Sequence, residues 1–202
     1  MAIGAVLVTH SHADHLELAS RLAAGRGTRL ARFPELADGD VIRIGKLSLT
    51  ALHTPGHAPD HLAFWMVEDR VLFSGDLILG RGSSMVTYPE GDVAAYLRSL
   101  DRVAELEPRM IFPGHWDPVT EASAKVAEYR EHRLARERQI LDEVRKTPGT
   151  ALELARRIYV PEVGESEPLL RAAEMTLRAH LRKLVEEARV TESDGRYSMV
   201  PD

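Results

Sequence analysis

The sequence predicts an α/β domain followed by a small module of helices closed by a β-ribbon, and three features predict it. Short apolar, β-branched runs separated by glycine, proline and aspartate recur as far as Met110 to Phe112. A long, highly charged helical pattern replaces them from Glu121. Two further helical stretches and a candidate hairpin then close the sequence, an order that reads as a small winged-helix module. With 202 residues, 44% of them hydrophobic, there is apolar material for one large core and a small one. The expected units are residues 1–130 and 131–202, the linking helix counted with the second.

In chain order, Ile3 to Val8 is a short apolar run that ends abruptly in the polar string Thr9 to His15, as a buried strand feeding a functional loop does. Leu18, Leu22 and Ala23 recur at helical spacing, and Gly25 and Gly27 stop that helix. Thr28 to Ala31, Val41 to Ile44, Leu47 to Leu52, His61 to Val67 and Val71 to Phe73 read as strands. From Asp92, the residues Val93, Tyr96, Leu97, Leu100, Val103 and Ala104 form one amphipathic stripe, and Met110 to Phe112 is one more strand. The charged helix runs from Glu121 to about Lys146 and is ended by Thr147, Pro148 and Gly149. Ala151 to Tyr159 and Pro168 to Glu187 are the later helices; Arg189 to Thr191 and Arg196 to Val200 flank the turn residues Asp194 and Gly195.

Composition excludes several chemistries. There is no cysteine, so disulfides, thiolate metal sites and cysteine nucleophiles are ruled out, and any metal must be held by nitrogen and oxygen. The apolar opening has neither a basic flank nor a small-residue cleavage site, and polar residues follow at once; no membrane partner is expected, and a cytoplasmic location is the default. A formal net charge of -5 argues against a strongly basic nucleic-acid surface, although bound divalent cations would add positive charge where a substrate docks.

The strongest chemical signal is the run His10, Ser11, His12, Ala13, Asp14, His15. On a loop after a strand, His10 and His12 can point one way while Asp14 and His15 turn to a second point, so one stretch of chain can grip two neighbouring cations. Imidazole and carboxylate suit zinc, manganese or iron. Thr54, Pro55, Gly56 and His57 place another imidazole on a sharp turn; Phe73, Ser74, Gly75 and Asp76 do the same for a carboxylate, whose two oxygens can bridge metals; Pro113, Gly114 and His115 add a last imidazole. A lone histidine after a strand is more often surface or satisfied core than ligand. The weight therefore lies on the cluster and on the order of the strand ends that follow it. His132 and His180 sit amid charges in helical stretches and are assigned to solvated faces, and His53 to strand packing beside the site.

The run His-x-His-x-Asp-His, followed by Thr-Pro-Gly-His, Ser-Gly-Asp and Pro-Gly-His, resembles the metallo-β-lactamase superfamily from Ile3 to about Val119. The resemblance implies an αββα sandwich with two metals at one edge of its sheets: His10, His12 and His57 on the first, Asp14, His15 and His115 on the second, Asp76 bridging. It narrows further. Cysteine-bearing β-lactamases need a thiolate that is absent, flavodiiron proteins place glutamate where His12 stands, and the stretch from Asp76 to His115 is too short for the insertion of the β-CASP nucleases. The long arm of tRNA 3′-processing enzymes is also missing. Residues Gly75 to Gly82, Pro113 to Val119 and the tail from Glu128 are most similar to the β-lactamase-like protein 2 group, which carries a C-terminal winged helix. That likeness implies a zinc enzyme acting on single-stranded RNA in at least some members. Three departures stand out: Leu16, Glu17 and Leu18 replace a usual glycine pair, Trp116 and Asp117 stand where a small residue is typical, and several strands that the family has before the first metal strand are missing, giving a truncated sandwich. The expectation is that the natural protein starts upstream of Met1; without those strands the edge beside Ile3 to Val8 would expose backbone and apolar side chains.

Three functions compete. A two-metal hydrolase, its metals roughly 3.5 to 4 Å apart and lowering the pKa of a shared water to about neutrality, would cleave phosphodiesters in RNA, with Arg171, Arg178 and Arg182 on one helix face meeting phosphates. Asp14 would orient the water, and His61 would either bond the substrate or brace the ligands. A thioester or lactone hydrolase of the glyoxalase II type would instead line a compact pocket with Arg81, Ser83 and Ser84 and use the tail as a lid or homodimer surface. A winged-helix nucleic-acid binder with a degraded catalytic domain is the third; less than one zinc per chain would mark it.

Overall fold

The computed structural model describes residues 3–201, the side chains of Glu162 and Val163 excepted. In order, the elements are β1 (Ala5–Leu7), α1 (Ala13–Arg26), β2 (Arg29–Ala31), β3 (Val41–Ile44), β4 (Leu47–His53), β5 (Leu62–Met66), β6 (Val71–Gly75), α2 (Val93–Glu105), β7 (Met110–Pro113), α3 (Ala122–Lys146), β8 (Gly149–Thr150), α4 (Ala151–Val163), α5 (Glu167–Glu186), β9 (Val190–Ser193) and β10 (Arg196–Met199). The main sheet has the order β3-β4-β5-β6-β7; β1 and β2 form a separate parallel pair, and β8-β10-β9 a third sheet.

Period-two alternation sorts the main sheet's side chains onto two faces. Leu52, Ala63, Trp65, Leu72 and Ile111 join a core with Val93, Tyr96, Leu100 and Val103 of α2 and Ala122, Val126 and Tyr129 of α3. The opposite face sends Ala51, Leu62 and Phe64 against Ala31 and Leu36. Farther along that second face Phe73 and Phe112 stay 37% and 36% exposed, their rings stacked at 5.5 Å, beside an apolar hollow of about 330 Å³ that Leu7, Leu49 and Phe64 also line. Among the described residues β1 pairs only with β2.

Helix ends follow local chemistry. The Asp92 side chain accepts from the Ala95 amide at the start of α2, Thr150 and Glu153 form a reciprocal capping box on α4, and Gly27 adopts the left-handed conformation that ends α1. The long helix α3 belongs to both parts of the chain: beyond Tyr129 it gives Ile140, Leu141 and Val144 to a second core with Leu154, Ile158, Leu177, Leu181, Leu184 and Tyr197. The border expected at residue 130 therefore falls inside one continuous helix. α4, α5 and the β8-β10-β9 ribbon complete the C-terminal unit.

Three expectations need correction. Asp14 and His15 lie in the first turn of α1 rather than on a loop, because the His12 carbonyl accepts from the His15 and Leu16 amides and starts the helix there. The helix read from Leu18, Leu22 and Ala23 is present as α1, with Leu18 70% exposed and only Ala23 buried. α4 continues past Tyr159 through Pro161. His180 is not on a solvated face but has 0% exposure, because it lies on the side of α5 nearest Arg133 of α3. No helix of the described residues is long and apolar enough to cross a membrane.

Candidate metal centre

Strand direction brings the candidate ligands to one edge. β4 and β6 both run antiparallel to β5, and β7 runs parallel to β6, so β4, β6 and β7 all finish where β5 begins. His57, Asp76 and His115 follow those three ends, and the Leu62 amide at the start of β5 donates to the Thr9 carbonyl at 2.6 Å, tying in the segment that carries His10. Two glycines make the turns: Gly56, at φ 136°, presses so closely on Tyr96 that a side chain would meet its backbone, and Gly75, at φ 51°, faces His61 and Thr9.

The side chains converge in two sets. His10 Nε2 is 3.0 Å from His12 Nδ1, which is 3.1 Å from His57 Nε2. His15 Nε2 is 3.3 Å from His115 Nε2, and His115 Nε2 is 3.2 Å from Asp14 Oδ2. Within each set, the ligand atoms lie within 4.8 Å of one another. Asp76 stands between the sets, with Oδ1 3.3 Å from His15 Nε2 and Oδ2 3.5 Å from His115 Nε2 and 3.8 Å from His57 Nε2.

The far nitrogens of the first set are held from behind. Thr9 Oγ1 lies 3.0 Å from His10 Nδ1, His57 Nδ1 donates to the Met85 carbonyl at 2.7 Å, and a Glu90 oxygen is 3.7 Å from His12 Nε2. Such partners fix ring orientation and tautomer and leave the inward nitrogen with its lone pair. His61 plays this role for the carboxylate. Its Nε2 accepts from the Asp76 amide at 3.1 Å and its Nδ1 meets the Thr54 hydroxyl at 2.9 Å, so the fully buried ring has no nitrogen left for a substrate and the bracing reading fits.

Electrostatics show what the arrangement wants. Burial, and then the crowding of His15, His57 and His12, pushes His10 down to about 3. Burial likewise lowers His57 and His61. Contact with Asp76 raises His15; burial alone would raise Asp76, but His15, His57 and His115 hold it down at about 2. Burial thus favours neutral His10 and His57, close to a carboxylate whose Oδ1 has no well-formed hydrogen bond among the described residues. A tetrahedral zinc site with Zn–N of about 2.0 to 2.1 Å has ligand edges of about 3.3 Å, close to the spacings found. The donor set therefore fits divalent cations.

The other predicted residues are placed differently. Arg81 and Ser83 are exposed on the loop after Asp76, but Ser84 is buried: its hydroxyl donates to the Asp76 carbonyl at 2.5 Å and lies 3.3 Å from His57 Nδ1, so it supports the ligands instead of lining a pocket. His53 stacks on Phe33 at 4.8 Å, as packing required. Arg178 is held by Glu174, and Arg182 donates to the Pro89 and Gly91 carbonyls; Arg171, paired with Glu167 at 3.2 Å, is the most exposed of the three. Sequence reasoning missed Thr9, Thr54, Glu90 and the Met85 carbonyl. Thr9 adjoins a ligand and could have been suspected, whereas a backbone acceptor leaves no trace in side-chain identity.

Comparison with known proteins agrees with this geometry. The Metallo-beta-lactamase superfamily model matches residues 16–115, and the Beta-lactamase associated winged helix domain matches residues 150–197. A Beta-lactamase-like protein 2 homolog of Drosophila melanogaster is 30% identical over 94% of this chain and 70% of its own length. Atrochrysone carboxyl ACP thioesterase of Aspergillus chevalieri is 34% identical over 73% of this chain, which spans 49% of that protein, about half its length. A Beta-lactamase domain protein from Burkholderia ambifaria shares the fold, with TM-score 0.87 at 24% identity over 98% of this chain and 74% of its own. With its ligand edge assembled and both domain models matched, the chain belongs to the metallo-beta-lactamase superfamily, in the form that carries an associated C-terminal winged helix.

Proposed function

We propose that this chain is a two-metal hydrolase, zinc being the expected ion with manganese and iron chemically admissible, and that its substrate is a thioester or ester of an apolar acyl group. The observation that carries the metal reading is the meeting of the two ligand sets at Asp76, whose oxygens face both. His10, His12 and His57 would hold one ion and Asp14, His15 and His115 the other, with Asp76 shared. When bound, such ions supply Lewis acidity and a water whose pKa falls to about 7.

The chain's own groups do the rest. Asp14, with a side chain 59% exposed and Oδ2 3.2 Å from His115 Nε2, would use its other oxygen to accept a hydrogen bond from the attacking water and align it. The water oxygen bonds to the acyl carbon, the carbon–sulfur bond breaks, and the water proton ends on the departing thiolate. Trp116, 60% exposed and 5.7 Å from the His115 ring, offers an apolar platform for the acyl group. Its backbone sits at φ 66°, an unusual conformation for a bulky residue and one often kept at functional positions. A relative named as an acyl-carrier thioesterase supports the same substrate class.

RNA phosphodiesters are the second reading, favoured by the winged-helix module and by solvent-facing Arg171. Against it, the intramolecular partners of Arg178 and Arg182 leave fewer cations for phosphates. Elemental analysis and a paired assay test both readings. About two zinc ions per chain and chelator-sensitive thioester cleavage are expected. RNA cleavage that outruns thioester turnover would move the assignment to the second reading, and less than one metal per chain, with no turnover, would remove the enzyme reading altogether.

A further inference from the structure

We infer that Arg133, on the linking helix α3, is a positioning residue: it pins the Ser84–Met85 segment and through it sets the tautomer and aim of His57. Arg133 is 3% exposed, an unusual place for a guanidinium. Its Nη2 donates to the Ser84 carbonyl, its Nε meets no acceptor among the described residues, and its guanidinium carbon lies 5.2 Å from the Tyr96 ring centroid. Arg133 is thus spent on one carbonyl and one ring.

Both of those contacts lead to His57. Ser84 is followed by Met85, whose carbonyl accepts from His57 Nδ1 at 2.7 Å, while the Ser84 hydroxyl grips the Asp76 carbonyl. Tyr96 backs the Gly56 turn from the other side, so close that Gly56 admits no side chain. His57 is therefore held between a turn packed on Tyr96 and a carbonyl whose segment Arg133 anchors. With Nδ1 committed as donor, Nε2 keeps its lone pair toward His12 Nδ1, 3.1 Å away. One turn along α3, Glu137 is ion-paired with Lys183 and Arg189 of the C-terminal unit, so the helix that holds the clamp is itself fastened to that unit.

The consequence for metal binding rests on the function proposed above; the His57 geometry does not. The test is long-range ¹H–¹⁵N imidazole spectroscopy of the metal-free protein, joined to a zinc titration against a chromophoric chelator. In the unaltered chain His57 is expected as the Nδ1–H tautomer. Arg133→Met, which keeps the stem but removes the donor, should give a mixed His57 tautomer, leave His61 unchanged, and weaken zinc binding by roughly 10- to 100-fold, the range seen when a ligand's support is lost. Arg133→Lys should restore most of both, and Arg133→Leu, which also lacks a donor, serves as the test variant if Arg133→Met does not fold. A His57 tautomer that is unchanged in whichever of the Met and Leu variants folds, or that is Nε2–H in the unaltered chain, overturns the inference. A tautomer shift in a protein that binds no zinc would instead sink the metal-site reading and leave the clamp standing.

Discussion

The strand-edge cluster around Asp76 and the cluster around Glu137 both bury ionisable side chains, yet they are finished differently. Glu137 has Lys183 at 2.6 Å on one oxygen and Arg189 at 2.7 Å on the other, so its charge is answered within the chain. At Asp76 the neighbours are imidazoles, of which burial lowers His10 and His57 while Asp76 itself raises His15, and one oxygen lacks a well-formed hydrogen bond among the described residues. A complete cluster is fitted for stability, whereas an incomplete one, costly without a guest, is fitted for binding a cation.

The largest expected effect separates the two at once. Asp76→Ala should reduce turnover by roughly 10³-fold or more, several kcal/mol of barrier, and should lower metal content below two per chain while changing metal-free stability by less than about 1 kcal/mol; equal loss of stability and activity would erase the contrast. Glu137→Ala should do the reverse. Lys183 then keeps only Glu187, 2.8 Å away, so the loss in urea unfolding is expected to stay below the roughly 3 to 5 kcal/mol of a fully unpaired buried charge, with metal content unchanged in the folded fraction.

A third buried group sharpens the comparison through pH. His180 has neither a protein partner for its ring nitrogens nor exposure, and burial, with Arg133 and Lys183 nearby, lowers it from 6.5 to about 3. The unfolded chain takes up a proton near pH 6.5 and the folded chain does not until about 3, so stability is full above that window and drains away as pH falls through it. His180→Leu should flatten this acid limb by a few kcal/mol, on the order of what a buried group's shift implies; an unaltered limb between pH 7 and 4 would show that other groups govern it. The smallest effect concerns Trp116→Gly. Relief of the left-handed backbone should raise stability by about 1 kcal/mol while KM for an apolar acyl thioester increases; an unchanged KM would deny the side chain a place in binding.

The candidate ligands were legible because metal chemistry demands particular side chains at strand ends, and His10, His12, Asp14, His15, His57, Asp76 and His115 fall into groups that could hold a metal ion. Strand positions in the main sheet were legible for a similar reason, since alternation such as Leu62, Ala63, Phe64, Trp65 needs two apolar faces. Helical spacing found α1 but could not say whether its apolar face is covered, and Leu18 is 70% exposed. His180 misled because its neighbours in sequence are charged, while its neighbours in space come from α3. Support from Met85 and Arg133 was out of reach, since a backbone acceptor can belong to any residue and a clamp across 49 positions follows from tertiary packing alone.

α3 has 25 residues, about 37 Å of helix at 1.5 Å per residue, and is embedded in hydrophobic material at both ends. A rod seated this way makes a poor hinge. Protein engineers who want the N-terminal half alone should keep the helix through Lys146 with its exposed apolar positions recoded, because cutting at residue 130 would sever it three residues ahead of the Arg133 anchor. Conversely, a graft that replaces everything beyond Lys146 has a ready-made spar on which to mount a different recognition module.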